Sequence, residues 1–130
     1  MSTITVIDYE KAGYTIDFLL TCPIVYFDTE TTGLDPYTND LLIVSIHARD
    51  PKGDAHTFVY DIQAMGPEIL NELRVVLESP YITKVAHNAV FDCKQLYHHG
   101  DVYVSPVYCT MIAEQVLKSG LLFNGFDFNT

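Results

Sequence analysis

The chain has 130 residues, which suits one domain, and 48% of them are hydrophobic, so it can bury a core. Seventeen Asp and Glu against seven Lys and Arg give a net charge of −10, which argues against a chain that grips nucleic acid by neutralising phosphates. No apolar run is long enough to span a bilayer, and Asp8, Glu10 and Asp17 near the start exclude the basic-then-apolar layout of a secretory signal. Cys22, Cys93 and Cys109 show neither metal-ligand spacing nor a disulfide framework, and they fit a reducing compartment. The acidity suits a site that collects divalent cations. It equally suits a portion of a protein whose basic surface lies elsewhere, or a plain acidic domain, and charge alone leaves all three open.

Thr3 to Ile7 predicts a short strand, and Tyr9 to Leu20 is ambiguous, with a short helix as one reading. Pro23 opens an apolar strand, Ile24 to Phe27, which ends in acids. Leu41 to Arg49 predicts a second strand. Asp50-Pro51-Lys52-Gly53 is turn chemistry, since Pro presets φ and Gly accepts a positive φ. His56 to Tyr60 returns. The three strands make an antiparallel meander with Ile24–Asp28 as its first member.

The period then changes. Gly66-Pro67-Glu68 is a helix start, followed by Ile69, Leu70, Leu73, Val76 and Leu77 at helical spacing. Ser79-Pro80 ends that helix. Ile82 to Ala86 predicts a strand. Asn88 stands where it can cap a helix that runs to about His99 and stops at Gly100. Val102 to Val104 predicts another strand, and Thr110 to Lys118 a third helix, stopped by Gly120. Leu121 to Thr130 shows no packing element. The expected fold is one α/β domain over residues 1–130, a mixed sheet flanked by helices.

Asp28 and Glu30 stand two apart on a strand, so both carboxylates emerge on one face. A hard divalent cation between them would remove their repulsion, because Mg²⁺ and Mn²⁺ take oxygen ligands. Alone, such a pair is more often a solvated strand end. The context is stronger: Phe27-Asp28-Thr29-Glu30-Thr31-Thr32-Gly33-Leu34-Asp35-Pro36 carries the acids straight into a Gly turn. Downstream, Lys84-Val85-Ala86-His87-Asn88-Ala89-Val90-Phe91-Asp92 places Asn88 and Asp92 one helical turn apart.

The first stretch resembles the first motif of the DEDD 3′–5′ exonucleases, and the second resembles their N-x-x-x-D motif. The segment Val107 to Leu117 resembles the helix that follows. Together they cover residues 20 to 122 and look nearest to the proofreading domain of bacterial and phage family A DNA polymerases. The resemblance implies a ribonuclease H-like fold and two ions, Mg²⁺ or Mn²⁺, about 4 Å apart on the scissile phosphate. By the same resemblance Asp28 bridges both ions, Glu30 holds the nucleophile-side ion and Asp92 holds the other, through water in one version. Thr31 and Asn88 match substrate positions, and Leu34 matches a wedge between the last two bases. The implied partner is a single-stranded DNA 3′ end, with RNA open, beside a polymerase domain or the remainder of a nuclease. The product is a nucleoside 5′-monophosphate and the implied setting a bacterial or phage-infected cytoplasm, with no membrane.

Blander readings stand beside these. Leu34 can pack under its turn, Asn88 can be only a cap, Lys84 and Lys94 can be solvated, and His98-His99 can be a wet helix end. The nine tyrosines form no stacking stripe. The family's third motif, a Tyr or His four residues before a fourth carboxylate, finds no match, because Phe123 stands four before Asp127. The expectation is therefore a chain cut before that motif. It would bind Mn²⁺ weakly, show little activity by itself, and have apolar surface that favours a dimer or a swapped partner. A non-catalytic binding module and an RNA-processing member of the superfamily are the competing readings.

Overall fold

The computed structural model describes residues 2–123. In chain order the elements are β1 (Ser2–Ile7), α1 (Tyr9–Leu19), β2 (Ile24–Thr31), β3 (Leu41–Arg49), β4 (Ala55–Asp61), α2 (Ile62–Met65), α3 (Ile69–Leu77), β5 (Thr83–Ala86), α4 (Ala89–Gly100), β6 (Val107–Cys109) and α5 (Thr110–Phe123). The strands form one six-stranded sheet in the order β1-β4-β3-β2-β5-β6. β2, β3 and β4 pair antiparallel, as the Asp50–Gly53 turn demands. β1, β5 and β6 join by parallel pairing. The result is an α/β fold with a mixed sheet, and β2 lies inside it with both edges paired.

One face of the sheet carries the core. Val25, Phe27, Val44, Ile46, Phe58 and Tyr60 point into it and are buried with the apolar sides of α1, α3 and α4. Helix α1 is tied to this face by Thr15, whose hydroxyl lies 2.9 Å from that of Tyr60. Alternation sends the other residues to the opposite face. There the register aligns Val6 with Val59, Val59 with Ser45, and Ser45 with Asp28. This face is open among the described residues, leaving Ile4 75% and Val6 64% exposed.

Several sequence expectations change. The first meander strand runs on to Thr31, so the acids lie within it rather than beyond its end. Val102 to Val104 is not a strand. The sixth strand comes later, at Val107–Cys109, where it can pair with β5. The last helix passes through Gly120 to Phe123, so the first residues of the expected tail are helical. Asp127 and the rest of that tail lie outside the described residues. The short α2 carried no periodic signal, because four residues make barely one turn.

Helix α4 differs at both ends. Gly100 ends it from within, and Asp101 takes the left-handed conformation, with φ 54°. The glycine serves packing: a Cβ there would lie 2.6 Å from Cδ1 of Leu70. At the other end Asn88 occupies the cap position at φ 57° but makes no side-chain cap hydrogen bond. Lys84 is fully buried rather than solvated. Its Nζ donates to the carbonyls of Ser79 and Ser105, each at 2.6 Å, so it clamps the two loops that flank β5.

Candidate active site

Strand β2 and helix α4 meet at the site. Asp28 and Glu30 project from the open face of β2, on either side of Thr29, which points into the core. Thr29 is buried because α4 crosses that side of the strand. Its hydroxyl donates to the Asp92 carboxylate. Asp92 itself is only 2% exposed, on the first turn of α4. The third acid thus reaches β2 from the covered side, while the other two stand in water.

Electrostatics couples all three. Burial pushes the Asp92 carboxyl up to about 6, the Thr29 hydroxyl pulls it back, and the charges of Asp28 and then Glu30 push it up again. Like charges that perturb one another here are the situation a hard cation relieves. The coupling stops short of a finished cage. Among the described residues no group of three or more His, Cys, Asp and Glu is placed to hold a metal ion.

The turn after β2 is rigidly tied. Thr31 Oγ1 and Asn39 Nδ2 both donate to the Gly33 carbonyl, at 2.6 and 2.7 Å. The Asp35 carboxylate accepts from the Tyr37 N–H at 3.0 Å. This binding pushes Leu34 outward, 86% exposed, so it does not pack under its own turn. Leu34 and Asn88, distant in sequence, line one cleft of about 660 Å³ with Asp35, Tyr37, Lys94 and His98. Thr31 spends its hydroxyl on the turn and is absent from that lining.

Sequence reasoning missed Thr29, Tyr37 and His98. The signal for Thr29 was present, since the middle residue of D-x-E must face away from its neighbours and so toward a covering helix. Tyr37 gave none, and His98 reads only as part of a wet helix end, which its exposure near the end of α4 matches. Their rings meet edge to face with centroids 4.7 Å apart only because the turn and the end of α4 are packed together.

A family model described as 3′–5′ exonuclease matches residues 3–122. This chain belongs to the 3′–5′ exonuclease family. The exonuclease fold is shared with Brucella melitensis NrnC solved with bound Mg²⁺, at 28% identity and a TM-score of 0.71, over 91% of this chain and 53% of that one. The same NrnC solved bound to pGG matches at 27% identity and 0.65, over 91% and 52%. Trypanosoma brucei RNase D in complex with RNA U12 shares the fold at 18% identity and 0.72, over 82% and 37%. No curated protein sequence matches the chain. The chain spans about half the length of the NrnC chains it resembles. No helix among the described residues is long and apolar enough to cross a membrane.

Within the exonuclease fold, β2 and the start of α4 are where the two sequence motifs meet. The Thr29–Asp92 hydrogen bond links one motif to the other.

Proposed function

We propose that this chain supplies the metal-binding part of an exonuclease that removes nucleotides from the 3′ end of RNA, with Asp28, Glu30 and Asp92 as its acidic residues. The observation that carries the reading is the link from Thr29 to Asp92. It ties the helix-borne carboxylate to the residue that stands between Asp28 and Glu30 on the strand, and Leu34 and Asn88, from the segments just after that strand and just before that helix, line one cleft. The donors are all carboxylate oxygens, which suits Mg²⁺ or Mn²⁺. Bound there, such ions would activate water and neutralise charge on the phosphate. Asp28 and Glu30, both exposed, are free to meet a hydrated ion directly. Asp92, with one oxygen already committed to Thr29, suits an ion held through water or by its other oxygen.

The chain's own residues then do three things. Leu34 offers an apolar surface to a terminal base, and Tyr37 and His98 offer ring faces and edges beside it. Asn88 and Lys94 offer donors to the sugar and phosphate of the same nucleotide. Thr31 acts by fixing the turn that presents Leu34. Single-stranded substrates suit a cleft with apolar and aromatic walls, because unstacked bases can splay into it.

RNA is preferred to a proofreading DNA substrate. NrnC, the structural relative at 28% identity, is solved with Mg²⁺ and with pGG, and the RNase D that shares the fold is solved with RNA. A polymerase partner has no such support. The test is Mn²⁺-dependent shortening of a 5′-labelled RNA by this chain, with the matching DNA in parallel. A slow ladder receding from the RNA 3′ end, absent in Asp28→Asn, is expected. Equal or faster loss of DNA would return the proofreading reading. Shortening that survives Asp28→Asn would overturn the site.

A further inference from the structure

The two edge strands of the sheet, β1 and β6, are finished differently. β6 is 3 residues long, and α5 starts at the residue after it. Shortness protects an edge, because an open row of backbone N–H and C=O groups invites another strand. β1 lacks that protection. It runs for 6 residues, Ser2–Ile7, in unbroken register with β4. It holds no charge, no proline and no bulge, and Thr3, Ile4, Thr5, Val6 and Ile7 are all β-branched. Among the described residues nothing pairs with its outer side. Ser2 and Thr3 are exposed, and so are Ile4 and Val6, which stand on the open face of the sheet.

We propose that β1 pairs with β1 of a second copy of this chain, antiparallel about a two-fold axis at Thr5, so that one sheet runs through both copies. Symmetry fixes the register. A two-fold axis perpendicular to the sheet keeps each face on its own side, and opposed residues must share a face. The axis therefore passes through a residue rather than between two. At Thr5 it sets Ile4 of each copy against Val6 of the other. Those aliphatic pairs are the kind that stabilise a ladder, and they cover the exposed apolar side chains of this edge. An axis at Ile4 would set Val6 against Ser2 and lose that match.

Charge selects the same arrangement. A net charge of −10 makes two copies repel over most of their surface. The β1 edge is a neutral exception, and the first charge past it is Asp8. Antiparallel pairing about Thr5 keeps the two Asp8 side chains about 20 Å apart, at about 3.3 Å of rise per residue. That exceeds the screening length of about 8 Å at physiological ionic strength. Parallel pairing in register would set the same two carboxylates side by side. β4 and β3 lie between β1 and β2, so the dimer leaves the acids of both copies accessible. The interface thus stands independently of the nuclease reading.

The test is sedimentation velocity of the whole chain over a range of concentrations, without added metal. A monomer–dimer equilibrium is expected. Ile4→Lys should weaken the dimer about tenfold or more, since both symmetric pairs lose an aliphatic contact and the edge gains a charge. At 75% exposure Ile4 can change without disturbing the fold, and an unmoved urea midpoint checks this. Ile4→Lys/Val6→Glu should recover most of the loss, because this register sets opposite charges face to face at both pairs. Thr5→Cys, once oxidised, should join the two copies through the substituted position, read by mass spectrometry, and Thr3→Cys should not. A chain that stays monomeric at every concentration would overturn the proposal and leave the edge to a strand of another protein; that readout needs no variant. A dimer indifferent to Ile4→Lys would overturn the choice of surface. Linkage through Thr3→Cys in place of Thr5→Cys would overturn the register.

Discussion

Two parts of the site hold the same functional group under opposite conditions. On β2, Asp28 and Glu30 stand exposed, placed by nothing more than strand alternation. On α4, Asp92 is buried against the back of that strand and held by Thr29. The first pair costs the fold almost nothing, because water solvates both charges. The third carboxylate is desolvated and repelled, and its pKa near 6 records the cost. The contrast teaches that the acid contributed by tertiary packing is the one under strain, and the one a bound cation would relieve most.

Breaking the pair should abolish function without harming the fold. Asp28→Asn is expected to lower Mn²⁺-dependent shortening of RNA by about a hundredfold or more, with the urea midpoint almost unmoved. A midpoint shift worth more than about 0.5 kcal/mol would show that Asp28 is structural after all.

Changing the buried acid should do the reverse to stability. Asp92→Asn should also lose activity, yet the metal-free chain should gain about 1–3 kcal/mol at neutral pH, at about 1.4 kcal/mol for each unit of pKa displacement. A carboxyl whose folded pKa lies above its unfolded value binds its proton more tightly when folded. Its favourable contribution is full below the ordinary value of 3.8 and is lost as pH rises through about 6. The gain in Asp92→Asn should therefore shrink as pH falls from 7 to 4.5, measured by urea unfolding in chelator. An advantage that stays constant with pH would remove the electrostatic account.

Thr29→Val sharpens the same comparison. It removes the hydroxyl that supports the Asp92 carboxylate while keeping the shape of the core. A loss of about 1–2 kcal/mol is expected at neutral pH, with the Asp92 titration, followed by carboxyl NMR, moving upward. No change in that titration would mean that the hydroxyl does not hold the acid.

The smallest effect on the fold belongs to Leu34→Ala. An 86% exposed side chain on a tied turn should contribute less than about 0.5 kcal/mol to stability. The same change should raise KM for RNA severalfold with kcat altered less. A drop in stability comparable to a core truncation would restore the packing reading of Leu34.

Much of the fold was legible because its signals are local. The Asp50–Gly53 turn fixed the hairpin of β3 and β4, and the apolar spacing from Ile69 to Leu77 fixed α3. The expectation of a strand at Val102 to Val104 failed for a non-local reason: an apolar triplet becomes a strand only where an edge is free to pair. The free edge of β5 meets the chain at Val107–Cys109. Lys84 failed likewise, since a charge beside a motif reads as solvated until two loop carbonyls close over it. Asn88 fits a capping pattern by residue type, but the chain enters α4 there in a left-handed conformation that leaves its side chain without a cap bond.

The sequence alone determined that Asp28 and Glu30 share a face, because a strand repeats every two residues whatever surrounds it. Its expectation that Asn88 and Asp92 share a helix face did not carry over, because Asn88 stands at the cap in a left-handed conformation, outside the regular turns of α4 that carry Asp92. Only the tertiary structure decided that Asp92 would be buried, that Thr29 would hold it, and that Leu34 and Asn88 would line one cleft. Those outcomes depend on how α4 crosses β2, and a crossing is set by the whole core rather than by the residues at the site.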